Sequence, residues 1–186
     1  IEALADIKAI AIDKTRTITY GTPVVSDVFP LIGTSRGELL SCTAGAEMFS
    51  EHPLARAIIT ASKSEGFEPH IAKDFKSILG KGATAKCVVC QIDTVLVGKL
   101  EFIKEYHDIS AEVEAIVAQL STEGKTSVVV SFGQGVAGII GLTDEIKPDS
   151  RSAIQELNDL DISVIMLTGD SEKAAHFVAR HVGITK

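Results

Sequence analysis

Apolar residues recur along the chain in two rhythms. Ile7, Ala9, Ile10 and Ala11 form a compact run that predicts a buried strand over about Ile7–Ile12. Near the other end, Gly135–Leu142 reads as a strand. Pro148 then precedes a helix with Ala153, Ile154, Leu157 and Leu160 on one face, at a spacing of about 3.6 residues. Ile162–Leu167 is apolar almost throughout, as expected of a strand buried on both faces of a parallel sheet. Thr168-Gly169-Asp170 turns the chain into a further helix containing Ala174, Ala175, Val178 and Ala179. Strands alternating with helices predict a Rossmann-like parallel sheet, with ligands at the carboxyl ends of its strands.

The middle of the chain has another pattern. Helices are predicted over about Arg36–Phe49 and Pro53–Glu65, the second turning Leu54, Ala57, Ile58 and Ala61 inward. Strand-like segments follow at Phe75–Leu79, Ala83–Gln91 and Thr94–Gly98. A helix then carries Val113, Ile116, Val117 and Leu120, and Thr126–Phe132 returns to strand. Helices segregated from an antiparallel sheet make an α+β unit, inserted into the α/β one. The expected division is 1–33 and 136–186 for the α/β domain, with 34–135 as the insert.

Composition narrows the range of functions. With 186 residues, 45% of them hydrophobic, the chain is long enough to bury a substantial core. A net charge of −7 leaves no basic stripe for phosphate backbones, which argues against nucleic-acid binding. Three cysteines, an odd number, do not form a disulfide framework, and a reducing compartment is the simplest setting. No apolar stretch approaches the roughly 20 residues that a membrane-spanning helix needs.

The chemistry concentrates at the end of the first strand, where Ile12-Asp13-Lys14-Thr15-Arg16-Thr17-Ile18-Thr19 follows the apolar run. A carboxylate there, followed by a cation and hydroxyls, suggests a covalent phosphate acceptor. Asp13 would be the nucleophile, Lys14 a nearby cation, and Thr15 and Thr17 donors to phosphate oxygens. Thr168-Gly169-Asp170 ends a second strand, where Gly169 permits close backbone approach and Thr168 offers a hydroxyl.

Residues 13–19 resemble the Asp-Lys-Thr-Gly-Thr-Leu-Thr signature of P-type ATPases, with Arg16 in the position of that family's glycine. Asp144 in Leu142-Thr143-Asp144-Glu145-Ile146-Lys147-Pro148 resembles the family's Asp-x-x-[Arg/Lys]-Pro segment. The Thr168-Gly169-Asp170 turn completes the set in family order. Ser50-Glu51-His52-Pro53-Leu54 is similar to the Ser-Glu-His-Pro-Leu of the nucleotide-binding domain in heavy-metal members. Glu47, Gly80-Lys81-Gly82 and Val97-Gly98 match that domain's further motifs; Lys99 replaces the usual Asn.

The resemblance implies a haloacid dehalogenase-type α/β phosphorylation domain with an inserted α+β nucleotide-binding domain. ATP would be held by Glu47, His52, Gly80, Gly82 and Gly98, with Asp144 at the nucleotide edge. Asp13, Lys14, Thr15, Thr168, Gly169 and Asp170 would form the phosphorylation site. Mg²⁺ would sit on the Asp13 carboxylate and the Thr15 carbonyl. It also implies partners: a transmembrane domain, an actuator domain and a transported heavy-metal ion, with this region on the cytoplasmic side. The family's Gly-Asp-Gly-x-Asn-Asp segment has no match through Lys186, so the phosphorylation domain is expected to be truncated at its C-terminus. Thr15 stands where soluble phosphatases of the superfamily carry a second Asp, which implies an aspartyl-phosphate slow to hydrolyse. A soluble phosphohydrolase and a non-catalytic nucleotide-binding module remain the alternatives.

Plainer readings exist for several of these residues. His52 could merely precede a helix capped by Ser50, with Pro53 in its first turn. Gly80 and Gly82 could be a hairpin turn, Asp13 a strand-end cap and Asp170 a helix cap. Cys87-Val88-Val89-Cys90 is expected on a strand, where residues three apart face opposite ways and cannot share an ion, and Cys42 has no visible partner. Position 16 favours Gly if the backbone there is left-handed, so Arg16 is expected to impair phosphorylation.

Overall fold

The computed structural model describes residues 7–31, 33–133, 135–169 and 172–184. Among these residues, eight strands and six helices follow in the order β1 (Ala9–Asp13), β2 (Thr19–Pro30), α1 (Arg36–Ala46), α2 (Pro53–Ser64), β3 (Ala72–Ile78), β4 (Gly82–Cys87), β5 (Ile92–Gly98), α3 (Leu100–Lys104), α4 (Ala111–Thr122), β6 (Thr126–Phe132), β7 (Gly135–Ile146), α5 (Ser150–Asp159), β8 (Ser163–Leu167) and α6 (Glu172–Val182). They fall into two compact units. One takes the chain through Thr22, Ser121–Gly124 and the chain from Asp144; the other takes Pro23–Leu120 and Lys125–Thr143. The chain passes between the units within β2 and β7.

In the first unit β1 and β8 pair in parallel, with Ala9 opposite Ser163 and Asp13 opposite Leu167. This register sets the two strand ends side by side, so the turn after Asp13 and the turn after Leu167 leave the sheet together. Ile154 of α5 and Val178 and Val182 of α6 pack with Ile18 and Val164 in one buried cluster.

The second unit is built on a six-stranded sheet in the order β2-β7-β6-β5-β4-β3, and the pairs from β3 to β7 are antiparallel. Its apolar runs are continuous because helices cover both faces. Val95, Val97, Val128, Val130 and Ile140 pack with Leu39 and Leu40 of α1 and Ile58 of α2. The alternate residues Leu96, Val129 and Ile139 pack with Phe102 and Ile103 of α3 and Val113 and Leu120 of α4. Strand neighbours point to opposite faces, so a run such as Val128-Val129-Val130 supplies both layers.

Two elements had no counterpart in the sequence pattern. β2 contains Gly21 and Pro23, which weaken a strand reading, but it lies at the edge of the sheet, where proline is tolerated. α3 is five residues long, too short for a helical repeat to register. Boundaries also moved. The helix expected to reach Phe49 stops at Ala46, and the strand expected to reach Gln91 stops at Cys87. Both shifts matter for the sites below.

Candidate functional site

In the first unit, Asp13 ends β1 and is exposed, while Lys14 beside it is buried. Lys14–Ile18 form a tight turn in which Arg16 has φ 66° and ψ −4°, the left-handed region. Three groups brace this turn from residues 144–150. Lys147 donates from its backbone N–H to the Ile18 carbonyl (2.9 Å) and from Nζ to the Arg16 carbonyl (2.7 Å). The Ser150 hydroxyl donates to the Ile18 carbonyl at 2.7 Å. Asp144 accepts the Thr19 hydroxyl on Oδ2 at 2.6 Å and the Gly21 N–H on Oδ1 at 2.8 Å. Thr19 is fully buried, so this carboxylate satisfies a hydroxyl that water cannot reach. Thr168 and Gly169 follow directly from Leu167, the register partner of Asp13. Asp170 lies outside the described residues.

A side chain in the left-handed region is disfavoured by roughly 1–2 kcal/mol. Arg16→Gly is therefore expected to raise the melting temperature of the chain by about 1–4 °C, after allowance for the greater freedom of glycine when unfolded. A lower melting point in the glycine variant, read by calorimetry, would show that the arginine side chain repays its backbone cost through contacts.

In the second unit, Glu47, His52, Gly80, Gly82 and Gly98 all line a single cleft of about 450 Å³, together with Ser50, Lys81 and Lys99. The helix α1 stops short of Glu47, which serves as its C-cap and is left as a buried carboxylate on the cleft wall. His52 is itself the cap of α2: its Nδ1 accepts from the Leu54 N–H at 3.2 Å, and Pro53 takes the first helical position. The cap expected at Ser50 is thus at His52, and the Ser50 hydroxyl instead accepts from the His52 N–H at 3.4 Å. With Nδ1 accepting, the proton of a neutral imidazole resides on Nε2, which is left to donate.

The glycines have separate reasons to be glycine. Gly80 turns the chain between β3 and β4 at φ 73°. Gly82 and Gly98 are register partners on β4 and β5. A methyl group on Gly82 would collide with the Val97 carbonyl oxygen, and one on Gly98 with the Lys81 carbonyl oxygen. Sequence reasoning set Lys99 aside as a departure from the family's Asn and gave Lys81 no role of its own; both line the cleft. The Lys81 ammonium pairs with exposed Glu105 at 2.6 Å.

Burial pushes the Glu47 carboxyl above the usual carboxylate range, with a hydrogen bond to Ser50 acting the other way. The folded chain therefore holds this proton more tightly than the unfolded chain does. Its contribution to stability falls as pH rises from the ordinary value of 4.5 through the raised one. Glu47→Gln is expected to remove this fall, flattening stability against pH in urea titrations across the weakly acidic range. An unchanged slope would place the carboxylate in water.

The cysteines contradict the strand-based expectation. β4 ends at Cys87, and residues 88–91 form a turn with Gln91 at φ 55°, so the chain doubles back before β5. Cys90 returns to the side of Cys87, and both meet Cys42 of α1. Cys42 Sγ lies 3.4 Å from Cys87 Sγ and 3.3 Å from Cys90 Sγ. Two thiols three apart face opposite ways only while the strand continues, and here it does not.

Comparison with known proteins shows the family and the fold. Residues 7–186 match the family model for haloacid dehalogenase-like hydrolases. A copper-exporting P-type ATPase of Staphylococcus saprophyticus is 34% identical over 99% of the chain and 22% of its own length. A probable cadmium-transporting ATPase of Staphylococcus aureus is 37% identical over the whole chain and 26% of its own length. Among solved structures, a zinc-transporting PIB-type ATPase in its E2·Pi state superposes with a TM-score of 0.83 at 32% identity, covering 98% of the chain and 29% of that protein. The chain thus spans about a quarter of the length of the relatives it matches. It belongs to the haloacid dehalogenase-like hydrolases and is homologous, over its whole length, to part of the heavy-metal P-type ATPases.

Proposed function

We propose that the chain is the ATP-binding and phosphorylation region of a heavy-metal-translocating P-type ATPase. The observation that carries the reading is the convergence of Glu47, His52, Gly80, Gly82 and Gly98 on one cleft from four separate stretches of sequence. Adenine offers an exocyclic amine that the Glu47 carboxylate accepts from, and ring nitrogens that Nε2–H of His52 donates to. Lys81 and Lys99 supply positive charge for the triphosphate.

In the other unit, an Asp13 carboxylate oxygen forms a bond to the γ-phosphorus as the bond to the bridging oxygen of ADP breaks. Lys14, Thr15, Thr168, Gly169 and Asp170 surround this centre in the proposal. The Asp13 carboxylate and the Thr15 carbonyl are hard oxygen donors of the kind Mg²⁺ takes, and the ion would neutralise phosphate charge there. The braced 14–18 turn holds the nucleophile's neighbours in place, and Thr15 offers no second carboxylate to activate water against the phosphoenzyme. The division at 33/34 and 135/136 into phosphorylation and nucleotide domains belongs to the same proposal. So do a transmembrane domain, an actuator domain, a cytoplasmic position and a transported heavy-metal ion.

Titration with ATP and then GTP, followed by backbone amide NMR, tests the reading. ATP-selective shifts at Glu47, His52 and residues 80–82, weakened at least about tenfold by His52→Ala, are expected, a loss of about 1.4 kcal/mol. A folded chain that ignores millimolar ATP would remove the nucleotide function.

A further inference from the structure

The three cysteines and His70 form a constellation that ATP binding and phosphoryl transfer leave unused. His70, in the loop leading into β3, brings Nδ1 to 3.2 Å from Cys42 Sγ, 3.5 Å from Cys87 Sγ and 3.3 Å from Cys90 Sγ. With the sulfur–sulfur separations of 3.3–3.4 Å given above, all four ligand atoms lie within 4.8 Å of one another. We propose that these four side chains bind one zinc ion that ties α1, the loop before β3 and the β4–β5 turn together.

The dimensions fit. A tetrahedral zinc with Zn–S near 2.3 Å and Zn–N near 2.0 Å has ligand–ligand edges of about 3.5–3.8 Å. Of the five separations given, His70–Cys87 at 3.5 Å already matches and the other four are a few tenths of an ångström shorter, so loading requires only a slight expansion. Cys87-x-x-Cys90 across a tight turn, with one ligand from a helix and one from a loop, is the spacing that structural zinc sites use. Three thiolates and an imidazole are soft to borderline donors that suit zinc and do not suit magnesium.

The backbone holds the ligands in advance of the ion. The His70 N–H donates to the Ser41 carbonyl at 2.9 Å, and the Val88 N–H donates to the Ile71 carbonyl at 2.9 Å. A side chain on Gly45 would strike the His70 carbonyl oxygen, so the loop lies directly against α1. Cys42 and Cys87 are buried within the larger core cluster, while Cys90 and His70 are partly buried and give a route of entry. On loading, the three thiols release three protons to solvent and the neutral imidazole releases none, leaving a net charge of −1 on the four ligands and the ion.

This ion is structural, neither cargo nor part of the nucleotide site. All four positions are filled by protein, which leaves none for a water or a substrate. Gly82 at the cleft and Cys87 at the cluster are opposite ends of β4, about 17 Å apart at 3.3–3.4 Å per residue. The site is nonetheless continuous with the cleft walls through α1, which ends at Glu47, and through β4 and β5.

The test uses the whole chain, purified with a reductant, loaded with ZnCl₂ and passed through a desalting column with micromolar chelator. Retention of one zinc per chain is expected, together with the visible absorption of tetrahedral, thiolate-ligated cobalt when Co²⁺ replaces it. Stripping the ion should lower the melting temperature by roughly 8–16 °C, if zinc is supplied at a thousand times its dissociation constant. Cys90→Ser, in the turn and outside the main core, should weaken zinc by more than the roughly 10–100-fold that outer-shell changes cost. No stoichiometric retention, an octahedral cobalt spectrum, or a metal-free chain carrying a disulfide would each overturn the proposal. So would a Cys90→Ser chain that is folded and binds zinc as tightly as the parent. None of these outcomes depends on whether ATP binds.

Discussion

Gly82→Ala is expected to unseat the cleft proposed to hold ATP and to be the most damaging of the glycine substitutions in it. The added methyl meets the Val97 carbonyl oxygen and the Gly98 Cα, both backbone atoms of the paired strand. A flexible side chain could swing aside, but a strand held by hydrogen bonds on both edges cannot. β5 lies between β4 and β6, so moving it disturbs Val95, Leu96 and Val97, which serve both core layers. The cost of such overpacking is typically about 1–3 kcal/mol and should lie at the upper end here. That corresponds to a fall of roughly 4–10 °C in melting temperature for a chain of this size. ATP binding should weaken by more than tenfold, since Gly82 and Gly98 are themselves cleft residues. Gly80→Ala is the internal comparison. Nothing lies near its missing side chain, so only its left-handed backbone is charged, at about 1 kcal/mol. Equal losses from the two variants would mean that β4 and β5 separate freely at this end.

Asp144→Ala should have the second-largest effect, on the turn that presents Asp13. The buried Thr19 hydroxyl loses its 2.6 Å acceptor and the Gly21 N–H loses its acceptor too. Each buried donor left without a partner costs about 1–3 kcal/mol. The Thr19 hydroxyl has one fallback, the Lys14 carbonyl at 3.2 Å, so the total should fall short of the simple sum. Gly21 is only partly buried, so a loss of roughly 1–2 kcal/mol is expected in urea denaturation. Phosphoenzyme formed from radiolabelled ATP by the full-length protein should drop at least about tenfold while the ATP dissociation constant holds. The resemblance implies a different role for Asp144, at the nucleotide edge. The two roles separate cleanly: a weakened ATP complex with unchanged stability would assign the carboxylate to the nucleotide, and the reverse to the turn.

The elements legible in the sequence were those whose signal is local. The β8 run and the α5 helix lie where the pattern places them, but the burial expected of β1 and β8 is not found. Ala9–Ala11 are exposed, Ile165 and Leu167 are 40% and 54% exposed, and Leu160 at the end of α5 is 70% exposed, because among the described residues β1 and β8 form a sheet of two strands only. β6 was legible too, although the reason for its uninterrupted valines was not. Helices on both faces of the sheet demand apolar residues at successive positions, and only the packing shows that both faces are covered. β2 and α3 lacked a local signal, one because Gly21 and Pro23 weaken its strand pattern, the other because one turn of helix has no period.

Motifs were legible wherever a short string of residue types carries the chemistry. Asp13-Lys14-Thr15, Ser50-Glu51-His52-Pro53-Leu54 and the Gly80 and Gly82 pair identified the family and its candidate site from sequence. The left-handed backbone at Arg16, inferred from a family glycine, is present in the structure. Tertiary structure alone assembled what comes from residues far apart. It set Asp144 against Thr19 and Gly21 across more than a hundred residues, and it set Glu47, Gly82 and Gly98 around one cleft. The cysteine cluster marks the division most sharply. Cys87 and Cys90 face apart on a continuous strand and together across a turn, and the choice depends on where β4 stops. That ending is decided by the pairing of β4 with β3 and β5 and by the left-handed Gln91, neither of which a pattern of residue types contains.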